Sequence, residues 1–336
     1  MINSVRNTVL AIANKNNYGY IAPQDFNLYA QQAQMDLFED YFYQYNSWIV
    51  KQNQRVSGTG YADIVKSLVE VIDEFSVTKG LIKQGNSMYF LPDDYYFISK
   101  INNYPNFITS GTNNLNSVNN LLGDSTAAFA ASGVLPGQII VNTTASSTYK
   151  GFSAYVVSVD SLTQLTLSSN IFPVTDPASA SGNTYSIFTT AGIVEAERVN
   201  QNKIFYLNNS PLTAPSVGYP AYVLGGATTG ITGDSTTGKV GNSITVYPTS
   251  LTTGGSMIAE YVRYPLPPNW TYASVLAGGA PVFNSAAADY QDFELPLSDE
   301  PGLVAKICQY IGIEIREPAV NQFGIQEINE DNQTQG

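Results

Sequence analysis

Between Pro23 and Gln54, Phe26, Ala30, Ala33, Leu37, Tyr41 and Trp48 recur three, four or seven residues apart, the spacing that places side chains on one side of an α-helix. Leu28, Met35, Phe42 and Ile49, spaced by sevens, mark a second and narrower apolar stripe on roughly the opposite side. A helix apolar on two sides is buried between two partners. One is its own domain; the other is either more of the same core or a neighbouring subunit. Pro23 suits the first helical turn, where a missing N–H costs nothing, and the charge of Asp25 favours a helix N-terminus.

The same period continues on both sides of this stretch. Ile2, Val5, Val9 and Ile12 predict a short first helix ending near Asn16-Asn17. Tyr61, Val65, Leu68, Ile72 and Phe75 predict a third, after the break at Ser57–Gly60. The first third is therefore read as three helices packed together. At Gly80 the pattern turns to short β-favouring runs. Ser87–Leu91 reads as a strand, Pro92-Asp93-Asp94 as a turn and Tyr95–Ile101 as a further strand. Asn102–Gly123, rich in Asn, Ser, Thr and Gly, reads as a linker. Asp124–Phe188 predicts a separate small β-module with strands at Gln138–Asn142, Ser153–Val159, Gln164–Leu167 and Tyr185–Phe188, an antiparallel barrel or sandwich inserted into another domain. Further strands are expected at Lys203–Leu207, Ala221–Leu224, Ser243–Tyr247 and Met257–Tyr264. Ser298 or Asp299 can cap a last helix over Gly302–Ile311, which Gly312 ends; Pro318–Gly336 reads as an extended arm or disordered tail.

Composition sharpens this picture. Charged residues make up 12% of the chain, about half the usual share for a soluble domain, while Tyr, Asn, Ser, Thr and Gly are plentiful. That mix suits β-structure and surfaces packed against protein. The net charge of −12 argues against a phosphate-binding face, since nucleic-acid binders attract the backbone with Lys and Arg. An acidic wall beside DNA would instead let it slide. The single Cys308, set between apolar residues, excludes an intramolecular disulfide and a cysteine-based zinc site, and is read as a buried structural thiol. No apolar run approaches the roughly 20 residues that span a bilayer, and the first residues do not read as a signal peptide.

Candidate chemistry is sparse. Gly233–Val240 has the glycine and lysine spacing of a phosphate loop, but Val240 stands where magnesium needs Ser or Thr, and the flanks are Gly- and Thr-rich. It is read as a flexible hairpin tip. The chain has no histidine, which excludes histidine-based triads and histidine-ligated metals. Acid pairs for a glycosidase mechanism remain at Asp93-Asp94, Asp289/Asp292/Glu294 and Asp299-Glu300; turn and cap roles account for each. Asp36, Glu39 and Asp40 are read as the solvated side of the long helix. The tyrosines, 23 in all, are read as core or interface packing rather than as sugar-stacking platforms. No catalytic, cofactor-binding or metal-binding residues are assigned.

Three segments together resemble the head–tail adaptor (tail-tubular or connector ring) proteins of short-tailed bacteriophages. The helical start Asn14–Asn46 is similar to ring proteins of crAss-like and related podoviruses. Leu91-Pro92-Asp93-Asp94 is similar to the strand entry of such adaptors. Met257–Tyr264, a Pro-rich stretch and the last helix resemble their returning C-terminal part. Segments from Asp124 to Leu167 resemble a small β-module of phage virion proteins.

The resemblance implies a non-enzymatic virion protein, assembled in the host bacterial cytoplasm and placed at the head–tail junction. It implies a homo-oligomeric ring, commonly a dodecamer, that joins portal protein to the next tail ring. Double-stranded DNA passes through without sequence-specific binding; no cofactor and no membrane are involved. The expected fold is α+β: an N-terminal helical bundle with antiparallel β-sheet and an inserted all-β module. The expected partition is 1–104 helical core with a strand hairpin, 105–190 inserted module and linker, 191–316 β-rich segment and returning helix, and 317–336 arm, which would dock on the portal or next tail ring. The alternative is a tail-fibre or receptor-facing component whose β-module binds cell-surface polysaccharide. A polysaccharide-degrading enzyme would need a carboxylate pair in a cleft.

Overall fold

The computed structural model describes residues 1–13, 21–54, 62–83, 87–115, 120–144, 146–173, 182–225, 243–249, 251, 256–273, 281–314 and 320–327, without the side chains of 46–54, 62–67, 82, 313 and 314. Three helices open the chain: α1 (Ile2–Ala13), α2 (Pro23–Gln54) and α3 (Ala62–Glu74). Six strands follow: β1 (Ser76–Gly80), β2 (Ile82–Lys83), β3 (Met88–Phe90), β4 (Tyr95–Asn103), β5 (Phe107–Asn113) and β6 (Leu121–Gly123). Then come β7 (Ile139–Asn142), β8 (Ser153–Val159), β9 (Gln164–Leu167), β10 (Asn183–Phe188), β11 (Val194–Glu195) and β12 (Glu197–Arg198). Helix α4 (Gln201–Asn209) precedes β13 (Ala221–Leu224), β14 (Ser243–Tyr247) and β15 (Met257–Arg263). A hairpin of β16 (Tyr272–Ala273) and β17 (Val282–Phe283), helix α5 (Glu300–Glu314) and a short helix α6 (320–327) complete it. The protein is α+β, with N-terminal helices and antiparallel sheets.

The chain divides into two units, Met1–Phe75 with Tyr264–Gly336, and Ser76–Arg263. The boundary falls at Phe75, not at residue 104, for a plain reason. Strands β1 and β4 pair on either side of β15, and β3 pairs with β14, so residues 76–103 belong to the β unit.

In the helical unit the returning α5 is the hub. Both α1 and α2 pack on α5, and α3 packs on α2. Ile2, Val5 and Val9 of α1, Phe26, Ala30, Ala33 and Phe38 of α2, and Leu303, Ile307, Cys308 and Ile311 of α5 are buried. The buried side of α2 thus runs through Phe38, whose ring meets Phe42 and Phe75 edge-on at 5.0 Å, while Leu37 and Tyr41 are half-buried. Phe42 therefore belongs to the core side rather than to an opposite stripe. Leu28 is 64% exposed, and the side chains of Trp48 and Ile49 lie outside the described residues.

Two expectations at the C-terminal end are corrected. Helix α5 does not stop at Gly312 but runs through it to Glu314. A Cβ at Gly312 would lie 2.5 Å from the Asn321 backbone nitrogen, and one at Gly324 would lie 2.6 Å from the Ala305 carbonyl oxygen. Both glycines permit a close helix crossing, and Asn321 Nδ2 donates to the Gln309 carbonyl across it at 3.0 Å. Residues 320–327 are accordingly helical and folded back on α5, not an extended arm; residues 328–336 lie outside the described set.

The β unit holds three sheets, in the orders β1-β15-β4-β11, β12-β13-β14-β3-β2 and β5-β10-β7-β8-β9-β6. The segment read as a linker is mostly strand. β5 pairs with β10 and β6 with β9, and polar Thr109, Ser110 and Thr112 are tolerated because β5 is an outer strand with only one neighbour. The module forms one curled six-stranded sheet whose outer strands meet at one end. There Asn114 and Leu115 N–H both donate to the Gly123 carbonyl, at 3.0 and 3.1 Å. Its core holds Leu122, Phe129, Ile140, Val156, Leu165, Tyr185 and Ile187.

A buried carboxylate ties that closure. Asp124, 1% exposed, accepts from Thr112 N–H at 3.1 Å, Thr126 N–H at 2.8 Å, the Thr126 hydroxyl at 2.7 Å and the Tyr185 hydroxyl at 2.8 Å.

Residues 203–207, expected as a strand, lie inside α4. Ile204 and Leu207, three apart, turn onto Val199, Ala221, Val223 and Tyr247, so docking of one helical side overrides the β-favouring Ile-Phe-Tyr run.

Candidate functional site

In each acid cluster offered for a glycosidase mechanism at least one carboxyl has a structural partner. Asp94 accepts from the Tyr261 hydroxyl at 3.0 Å. Asp292 accepts from the Met1 amino group at 2.8 Å and from Ile2 N–H at 2.7 Å, so it closes the start of α1. Burial alone would raise its pKa, but these bonds and the one from Phe293 N–H outweigh it and hold the carboxyl below its ordinary range. Glu294 accepts from Leu266 N–H at 2.7 Å, and Asp289 accepts from Asn269. These acids are engaged in capping and cross-linking, and the hydrogen bonds bring no two of them together across a cleft.

The α2–α5 seam carries several polar contacts. Tyr41 donates to Asp299 just ahead of α5, and Tyr310 of α5 donates back to Asp36 of α2. Lys306 pairs with Asp40 at 3.2 Å. Asp36 and Asp40 are thus partners of α5 rather than purely solvated, as the sequence reading had them. Beside this seam lies an open cavity of about 400 Å³, lined by Tyr41, Leu68, Val71, Glu74, Ser298 and Asp299. Burial raises the Asp299 carboxyl above its usual range although Tyr41 and Ser298 donate to it, and burial together with Asp299 pushes the Tyr41 phenol well up. With both its oxygens so engaged, Asp299 is a satisfied hydrogen-bond partner rather than a free acid or base; Glu70 and Glu74 also line the cavity.

Cys308 is buried and its thiol is pushed up to about 12 by burial, which removes it as a nucleophile. Among the described residues no cluster of three or more His, Cys, Asp or Glu could hold a metal ion, and no helix is long and apolar enough to cross a membrane. The phosphate-loop look-alike Gly233–Val240 lies outside the described residues.

The feature that sequence reasoning missed is a surface. On α4 and the turn behind it, Phe205, Tyr206, Leu212, Val217 and Tyr219 are all exposed, Leu212 at 96%. Only Ile204 of α4 is buried. A strand reading of 203–207 hides this, because alternation would send half of these side chains inward. The available signal was the run Ser210–Pro220, with Pro, Thr and Gly punctuating apolar residues beside a helix-compatible Ile204/Leu207 pair.

The sequence matches no protein-family model and no curated protein.

Proposed function

We propose that the protein is a non-enzymatic virion structural protein: a head–tail adaptor ring that sits below the portal, joins capsid to tail and lines the DNA channel. One observation carries the reading. The helical unit is built from both ends of the chain, with α5 returning to receive α1 and α2, while the whole β body is strung between Phe75 and Tyr264. That layout matches what the resemblance of the helical start and of the returning C-terminal segment implies. Asp94, Asp292 and Asp299 are engaged in capping or by tyrosine partners, which favours architecture over catalysis. The net charge of −12 suits a channel wall that does not hold DNA.

Imaging particles that contain the protein tests this. The expected result is a ring of identical subunits at the head–tail junction. Density for the protein at fibres or on the capsid surface would overturn the assignment and favour the receptor-facing alternative. In the adaptor reading the segment beyond residue 327 contacts the portal or next tail ring, so deleting residues 328–336 leaves the fold intact and blocks tail attachment.

A further inference from the structure

The β unit carries two apolar surfaces on different sheets, and their chemistry differs. The first is the patch on α4 and its following turn. Phe205, Tyr206, Leu212, Val217 and Tyr219 are 65%, 78%, 96%, 48% and 83% exposed. It is held in shape: the Thr213 hydroxyl donates to the Leu207 carbonyl at 3.2 Å, Ala214 N–H to the Ser210 carbonyl at 2.9 Å, and Ser216 and Tyr219 exchange backbone bonds at 3.0 and 3.1 Å. Weighting typical side-chain areas by these exposures gives roughly 600–700 Å² of accessible surface, at or above the largest patch of an ordinary monomer. A stable protein interface needs about 800 Å² per partner, so the patch supplies most of one side. From Val199 to Tyr219 the only charged residue is Lys203, in a chain of net charge −12. Two copies repel each other least along such a stretch.

The second surface is the outer side of β8. Tyr155 and Val157 alternate outward, 51% and 54% exposed, and Leu162 in the next turn is 62% exposed. Between them stands Asp160, an exposed carboxylate fixed by the hydroxyls of Ser158 and Thr166, both at 2.6 Å. The first surface thus offers apolar area with a cation, and the second offers apolar area with an anion.

We propose that the chain self-associates head to tail, the α4 patch of one copy seating on the β8 face of the next, with Lys203 toward Asp160. Unlike charges favour this pairing over either surface meeting itself. A head-to-tail contact closes into a ring or runs on as a filament. Closure into a ring rests on the adaptor reading; the contact itself is a property of the chain.

Mixing two interface variants of the full chain decides it. One carries Phe205→Asp and Leu212→Asp, the other Tyr155→Ser and Val157→Asp; all four sites are exposed, and circular dichroism verifies folding. In sedimentation velocity the native chain forms multiples of 36.3 kDa. Each variant alone associates at least roughly 30-fold more weakly, the hot-spot scale, and runs as a monomer. The equimolar mixture restores one intact contact and forms a dimer and nothing larger. If the β8 variant assembles like the native chain, the proposal is overturned in favour of self-pairing through α4. A native chain that stays monomeric at every concentration, or that binds neutral lipid vesicles instead, also overturns it. A mixture result as expected, with the protein found away from the head–tail junction, removes the adaptor reading alone.

Discussion

Replacing Asp124 by Ala removes one carboxylate and leaves four donors around the hole. Of these, the Tyr185 hydroxyl is in the core, on a residue 1% exposed, and Thr112 N–H is part of the join between the outer strands β5 and β6. A hydrogen bond to a charged group is worth roughly 1.5–3 kcal/mol net, and a buried donor left alone costs about 1–3 kcal/mol. The Thr126 groups can turn to water, so the bonds do not add; about 3 kcal/mol is the expected loss. Against a domain stability of roughly 5–15 kcal/mol this loosens the module without abolishing it. Amide hydrogen exchange in Phe107–Asn113 and Leu121–Gly123 should speed up by roughly 100-fold, since about 1.4 kcal/mol is one decade. Tyr185→Phe, which removes only one donor, should cost about 1 kcal/mol, and the double variant should lose less than the sum. Both tryptophans, Trp48 and Trp270, belong to the helical unit, so tryptophan emission should stay unchanged while exchange in the module rises.

Acid provides an independent reading of the same network. Burial would raise the Asp124 pKa, but the Thr126 and Tyr185 hydroxyls and the Thr126 and Thr112 amides outweigh it, leaving the folded value below the usual one. A depressed carboxyl contributes stability at pH above its unfolded value of about 4, and that contribution is lost as pH falls through the folded value. Native protection of β5 and β6 should therefore fall in that window, and the Ala variant should show a flatter profile. Unchanged exchange in these strands after Asp124→Ala would refute the closure argument.

Four further outcomes follow from the helical unit. Gly312→Ala should help an isolated helix by about 1 kcal/mol, yet here the added methyl meets the Asn321 backbone, so limited proteolysis should reach residues 320–327 faster. Asp292→Asn should cost about 1 kcal/mol of unfolding free energy, read as a lower urea midpoint by tryptophan emission, because the cap of α1 weakens. Asp299→Asn should raise that midpoint near neutral pH; a carboxyl raised by burial contributes stability below its unfolded pKa and loses it as pH climbs through the folded one. Cys308 should resist alkylation in the folded protein and react at the rate of unfolding, as a timed mass spectrum would read.

Much of the architecture was legible where burial imposes a period. The three opening helices, the strands Ser153–Val159 and Gln164–Leu167, and the late strand from Met257 appear where the apolar spacing places them. Legibility failed where tertiary partners decide. Thr109, Ser110 and Thr112 look like a linker until β10 supplies their hydrogen bonds. Ile204–Leu207 looks like a strand until the α4 docking site on Val199, Ala221 and Val223 favours a helical turn. Gly312 looks like a stop signal, because a sequence does not reveal that another backbone passes beside it. Among the acids, local capping roles were readable, whereas the distant donors Tyr41, Tyr185 and Tyr310 were not.

Those donors explain the composition. The chain has 27 acidic residues against 15 basic ones, so one-to-one pairing with cations leaves an excess of carboxylates. Tyrosine takes that place: Tyr41 serves Asp299, Tyr310 serves Asp36, Tyr185 serves Asp124 and Tyr261 serves Asp94. A phenol brings an O–H donor and a large apolar ring together, so it satisfies the carboxylate while filling the core. It adds no positive charge, which is why the net charge stays at −12. Short-range hydrogen bonds of this kind are not screened by salt, whereas the mutual repulsion of the excess acids on the surface is. Raising ionic strength from about 0.01 M to 1 M shortens the screening length from roughly 30 Å to 3 Å. The urea midpoint should therefore hold or rise with sodium chloride. A midpoint that falls steadily with salt would show that exposed ion pairs, not tyrosine–carboxylate bonds, hold the fold.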